Sequence, residues 1–228
     1  MAISSSRTQP TRGQVGVTLV ELLIVLGILA VLAGLLLPAI GWVRTRSLQT
    51  ACRSNLAQLG AATKVYAEQE GGRLPASQNW GATKAERSSA WFNQLPRMMS
   101  ERKINRPGTI FQCPSFSGAA PGLISNEVAK SYKMNVDLDR VRHGTRGYRH
   151  KPFFINRISD ADSVVLYVDG IATGGKGQWG YGGAKEVDDS RHRGWVSVVF
   201  TDLHTTQIEW TPANRDWSTA LHWNSQDW

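Results

Sequence analysis

The chain has no second long hydrophobic run. One uncharged apolar stretch, Leu22 to Ile40, covers 19 residues, and nothing of comparable apolarity follows it. Everything after the run is therefore expected on one side of any bilayer it crosses. Cysteine is scarce. Cys52 and Cys113 are the only two, and none stands directly after the apolar run, so nothing supports a lipoprotein. No Gly-x-Ser-x-Gly elbow occurs, and no phosphate-cradling glycine loop opens a helix, so the sequence reads as a non-enzyme. Cys113 beside Pro114 with a distant histidine is too common a pairing to argue otherwise. EF-hand spacing is missing, as is any internal repeat. Acidic residues are the minority, 18 against 26 Lys and Arg, for a net charge of +8. That balance is compatible with anionic lipid, acidic polysaccharide or DNA and selects none of them.

What is present begins with Glu21. It stands at the mouth of the apolar run, in Gly16-Val17-Thr18-Leu19-Val20-Glu21-Leu22-Leu23. A carboxylate at the edge of a membrane-spanning segment is costly and marks a functional site. A helix from Val17 to Val43 has 27 residues and would be about 40 Å long at ~1.5 Å per residue, longer than the hydrocarbon layer. Arg7 and Arg12 before the run favour a cytoplasmic N-terminus, whereas Arg44 and Arg46 after it argue the reverse. An ordinary signal peptide fits less well. Leu37-Pro38-Ala39 makes a poor cleavage site, and the run exceeds the usual apolar core of roughly 7–15 residues.

After the apolar run the helix is expected to continue to about Ala67. Leu48, Cys52, Leu56, Leu59, Ala62 and Tyr66 recur at spacings of three and four, giving one apolar face. Arg44, Arg46, Arg53, Gln58 and Lys64 cover much of the rest, and Gly71-Gly72 ends the helix. A short helix is expected within Ala90–Met99. Short strands are expected at Thr109–Cys113, stopped by Pro114, and at Ser131–Asn135. Ser163–Val168 and Trp195–Phe200 read as buried strands, and Thr206–Trp210 as a hairpin partner of the second. Gly174–Gly183 reads as a glycine-rich loop. A long helix followed by strands implies an α+β domain with a small antiparallel sheet laid against the helix.

The N-terminal stretch resembles that of type IV prepilins: a basic leader ending in glycine, here Gly16, then an apolar helix with glutamate as its fifth residue, here Glu21. Pro38 falls at the twenty-second mature position, where that family commonly carries a helix-kinking proline. A second resemblance lies further on. His192 and Asp202 are separated by nine residues, as in the processing-associated subgroup of prepilin-like proteins, whose signature is His, nine residues, Asp-Gly. Leu203 stands where that signature has glycine, which places the tight turn in question. The segments around Cys52, Cys113-Pro114-Ser115 and Ser131–Asn135 also resemble that subgroup.

The resemblance implies a leader at residues 1–16, a transmembrane and filament-core helix at 17–43, and an extracytoplasmic pilin-like domain at 44–228. It implies a pseudopilin of a type II secretion or type IV pilus-like apparatus, in the inner membrane with its bulk outside the cytoplasm. Its partners would be a prepilin peptidase, which cuts after Gly16 and methylates Val17, other pilins or pseudopilins, and the inner-membrane assembly machinery. Glu21 would pair with the amine of a neighbouring subunit. With both thiols outside the cytoplasm, a Cys52–Cys113 disulfide and two buried free thiols are both open. The alternative function is a signal-anchored ligand-binding protein or minor pilin using the basic segment Lys130–Lys151. That segment reads as a solvated loop before it reads as a nucleic-acid or glycan site. No cofactor is required. His192, Asp202 and His204 form a weak metal candidate beside the plainer reading of a capped turn, and Glu186, Asp188 and Asp189 form a weak calcium candidate.

Overall fold

The computed structural model describes residues 17–78, 89–99, 109–116, 130–142, 148–171, 181–182 and 187–210. The leader with Gly16, most of the glycine-rich loop, Glu186 and the C-terminal tail lie outside the described residues. The chain divides into two compact units after Arg44.

Helix α1 spans Leu19–Gln69 and passes through both. In the first unit its large apolar side chains, from Leu19 to Val43, are exposed. An all-round apolar helix is stable where water is excluded, and among the described residues α1 is long and apolar enough to cross a membrane. Pro38 lies inside it and donates no hydrogen bond to the carbonyl one turn back.

In the second unit α1 becomes amphipathic. Cys52, Leu56, Leu59, Ala62 and Tyr66 are buried, as their spacing requires, while Arg46, Arg53, Gln58 and Lys64 face solvent. Each fully buried leucine contributes about 1.5–3 kcal/mol relative to exposure. The helix ends where Gly71 and Gly72 take positive φ (65° and 92°), and the Gly72 amide bonds back to the Ala67 carbonyl at 2.6 Å. That is a left-handed C-terminal cap of the kind glycine forms at least cost. Helix α2, Trp91–Met98, buries Trp91 and Leu95.

Among the described residues seven strands follow: β1 Tyr132–Asn135, β2 Arg140–Arg142, β3 Tyr148–His150, β4 Val165–Asp169, β5 Tyr181–Gly182, β6 Trp195–Phe200 and β7 Thr205–Glu209. Five of them make one sheet in the order β5-β1-β4-β6-β7. The β1–β4, β4–β6 and β6–β7 pairs are antiparallel, and the short β5 adds in parallel to β1. β2 and β3 form a separate antiparallel ribbon. The class is therefore α+β, a long helix with a small, mainly antiparallel sheet.

Both faces of the sheet are packed. Leu166, Tyr167, Val199, Tyr132 and Met134 join the core that includes Leu56, Leu59 and Trp91. Val165, Val168, Val196, Val198 and Phe200 form a second cluster with Val187 and Trp210. The register shift between Val165 and Tyr167 puts adjacent residues Leu166 and Tyr167 in the same cluster, which period-two alternation would separate.

One expected strand is not there. Thr109–Cys113 is bends and a turn instead of extended chain. The Asn55 side-chain amide on α1 donates to the carbonyls of Thr109 (3.3 Å) and Gln112 (3.0 Å), and Gln112 N–H turns back onto Thr109 O. Backbone groups satisfied in this way do not need a strand partner.

Candidate functional site

Two constellations in the described residues carry chemistry. The first is at the start of α1. The Glu21 carboxylate oxygen Oε2 accepts from the Thr18 amide (2.8 Å) and the Thr18 hydroxyl (2.9 Å), while the Glu21 amide donates to Thr18 Oγ1 at 3.2 Å. This is a reciprocal capping box, which satisfies N–H groups that a helix start otherwise leaves unpaired. The Thr-x-x-Glu pattern before an apolar run is legible in the sequence, and reading Glu21 only as a membrane carboxylate misses it. Both Thr18 bonds end on Oε2, which leaves Oε1 for another donor.

The second constellation is buried beneath α1. Cys52 projects from the helix, and its thiol donates to Asp169 Oδ1 at 3.0 Å. Asp169 ends β4, opposite Tyr132 of β1, and its Oδ2 accepts the Ser197 amide of β6 at 2.9 Å. The Tyr132 hydroxyl lies 3.3 Å from both the carbonyl and the sulfur of Cys52. Cys113 sits in the turn segment held by Asn55, and its amide donates to Ser131 Oγ at 2.7 Å. Its sulfur lies 3.3 Å from His192 Nε2.

His192 comes from the turn before β6. Arg193 and Gly194 take φ of 56° and 88°, and the Trp195 amide closes the turn on the His192 carbonyl. Arg191, beside it, is tied to Asp188 Oδ2 (2.9 Å), to the Ser131 carbonyl (3.1 Å) and to the Gly170 carbonyl. These ties fix the turn against β1 and β4. The imidazole Nε2 then lies 3.8 Å from Asp169 Oδ2. Cys52 and Asp169 are fully buried, and Cys113 and His192 are 2% and 3% exposed.

The electrostatics follow from burial and proximity. Burial pushes the Cys52 thiol up, and the hydrogen bond with Cys113 and the Asp169 charge push it further. The Cys113 thiol is held below its ordinary value, first by its hydrogen bond with Cys52 and then by His192, against the opposing effect of burial. Burial disfavours a charged His192, but the Cys113 bond and the Asp169 charge outweigh it and raise the imidazole. The two sulfurs thus face opposite partners, Cys52 a carboxylate and Cys113 an imidazole.

The sequence-derived candidates separate accordingly. Cys52 and Cys113 are brought together, with all four donor atoms within 4.8 Å of one another, and both are free thiols. The grouping of His192 with Asp202 and His204 does not form. Asp202 Oδ1 instead takes the His204 amide (2.9 Å) and its Nδ1 (2.7 Å), and the His204 ring stacks on Phe200. They make a capped turn between β6 and β7. Asp188 is likewise engaged, by Ser190 and Arg191, so it is not presented as a calcium ligand. In the basic segment Lys130 and Lys133 are buried, with Lys130 over the Phe92 ring at 4.3 Å. Asp169 escaped the sequence reading because Asp-Gly after a buried strand reads first as a strand terminator. Compared with protein-family models, curated proteins and solved structures, the chain has no match.

Proposed function

We propose that this chain is a prepilin-like structural subunit, a pseudopilin of a type II secretion or type IV pilus-like apparatus. A peptidase removes residues 1–16 and the new Val17 amine is methylated. The apolar part of α1 rests in the inner membrane with residues 44–228 outside the cytoplasm, then packs among the same helices of other subunits. The observation that carries this reading is Glu21, a carboxylate at the entrance of an apolar helix and the fifth residue after Gly16. In such a packed apolar core an unpaired carboxylate is unfavourable, so a neighbour's amine compensates it and sets the register between subunits. The capping box is consistent with that role, because it engages one carboxylate oxygen and leaves the other for the amine.

Mass spectrometry of the N-terminus of membrane-derived protein tests the processing. The expected mature chain starts with N-methylated Val17 and has 212 residues; an intact Met1, or an end near Ala39, overturns it. Two substitutions separate pairing from capping. Glu21→Gln keeps an acceptor for Thr18 but removes the charge, and is expected to block incorporation beside wild-type subunits. Thr18→Val removes the side-chain half of the cap but keeps the charge, and is expected to incorporate normally. The reverse pattern would make Glu21 a helix cap and nothing more.

A further inference from the structure

We propose that Cys52, Cys113, Asp169 and His192 are the four ligands of a structural zinc ion that fastens α1 to the sheet. Two thiolates, an imidazole and a carboxylate are the donor types zinc takes, at about 2.3 Å for sulfur and 2.0–2.2 Å for nitrogen or oxygen. A tetrahedron with those bond lengths has edges of about 3.3–3.8 Å. The separations here are 3.0 Å for Cys52 Sγ to Asp169 Oδ1, 3.3 Å for Cys113 Sγ to His192 Nε2 and 3.8 Å for His192 Nε2 to Asp169 Oδ2. All four donor atoms fall within 4.8 Å of one another. The four residues lie far apart in sequence and reach one point from a helix, a turn, a strand end and a second turn.

The direction of the donors discriminates between the uses of such a cluster. In a cysteine–histidine–aspartate triad the carboxylate orients the imidazole through the ring nitrogen remote from the sulfur. Here Cys113 and Asp169 both face Nε2, and Nδ1 has no partner among the described residues. A nucleophile also needs access, and Cys113 is buried. A disulfide would use only the two sulfurs, leaving the buried His192 ring without a hydrogen-bond acceptor or donor role and Asp169 with the Ser197 amide alone. A metal ion uses all four groups at once.

Loading is an acid–base exchange without redox. Zn²⁺ sheds its water ligands, each cysteine releases its thiol proton to solvent as its sulfur coordinates, and Asp169 and neutral His192 each supply a lone pair. The resulting centre carries a single negative charge. The buried Arg191 guanidinium, which interacts electrostatically with Asp169 and both cysteines, offsets it. Four protein ligands, all buried, leave no open coordination position, so the ion is structural and not catalytic. Two thiolates also favour zinc over calcium or magnesium. The inference does not depend on whether the chain enters a filament.

The test uses the full chain, extracted from membranes in detergent without reductant or chelator. Elemental analysis is expected to find about one zinc per chain. Both cysteines should resist alkylation until the protein is denatured with a chelator, and then both should react. Zinc replaced by cobalt(II) should give the visible absorption of a tetrahedral thiolate site. His192→Ala and Asp169→Asn should each lower zinc content about tenfold or more. If these variants fail to fold, the metal content, thiol reactivity and cobalt spectrum of the wild type decide alone. A Cys52–Cys113 disulfide, free thiols without zinc, a different metal at full occupancy, or variants that keep their zinc would each overturn the proposal.

Discussion

Gly60 and Val199 meet across the interface between α1 and β6 so closely that a side chain on the helix would force Val199 to shift. A Cβ built on Gly60 would lie 2.9 Å from Val199 Cγ2 and 3.6 Å from Leu203 Cδ2. Val199 is fully buried, so its methyl moves only by displacing packed neighbours. In an exposed helix, glycine to alanine gains about 1 kcal/mol. At this position overpacking of about 1–3 kcal/mol opposes that gain. Gly60→Ala is therefore expected to be neutral to destabilising by about 2 kcal/mol. In a Val199→Ala background the same change should become stabilising, because the obstructing methyl is gone. Denaturant unfolding of the four proteins of this cycle gives the coupling directly.

How far the sequence reveals this structure depends on the range of the forces. The spine of α1 was legible because burial on a helix imposes a local period, and Cys52 through Tyr66 obey it. Trp195–Phe200 was legible as a strand to the residue, being a β-branched run closed by a turn. The strand expected at Thr109–Cys113 failed because Asn55, more than fifty residues earlier, captures its carbonyls. In sequence β5 reads as part of a glycine-rich loop, because its pairing with β1 is set by topology. The buried cluster was half legible. Compartment and helix position single out Cys52 and Cys113 together, as a bridge or as two buried free thiols, whereas nearness in sequence groups His192 with Asp202 and His204. Its partner Asp169 reaches it only through the β1–β4–β6 arrangement. No local pattern encodes that.

Leu203 takes φ of +76° in the β6–β7 turn. This is the position where glycine was expected from the resemblance, and the backbone keeps the left-handed conformation although a leucine occupies it. Such a conformation costs about 1–2 kcal/mol for a residue with a Cβ. The half-buried side chain packs against the main core in return. Leu203→Ala keeps the strain and loses the packing, so it should destabilise by about 1–2 kcal/mol. Leu203→Gly loses the same packing but releases the strain, and should be more stable than the alanine variant by about 1 kcal/mol. Thermal unfolding of the two variants checks the order; alanine above glycine would mean that the turn is not strained.

Tyr167 should make the fold sensitive to alkali. Its hydroxyl lies 2.9 Å from Thr63 Oγ1 between β4 and α1, and its ring meets Trp91 edge to face at 5.1 Å. Complete burial raises the phenol well above its ordinary value of 10.0, and the Thr63 hydrogen bond lowers it only in part. The folded state therefore holds this proton more tightly than the unfolded chain does. Below pH ~10 both states are protonated and the contribution is fully present. As pH rises past ~10 the unfolded chain ionises first and binds fewer protons, so stability falls with pH. Unfolding free energies measured between about pH 9 and pH 11 should show that decline. Tyr167→Phe should lose about 0.5–1.5 kcal/mol at neutral pH, from the missing hydrogen bond to Thr63. Its stability should also decline less steeply with pH over the same interval, because one buried phenol no longer resists ionisation. An unchanged slope in the Phe variant would show that Tyr167 is not the group that couples folding to alkaline pH.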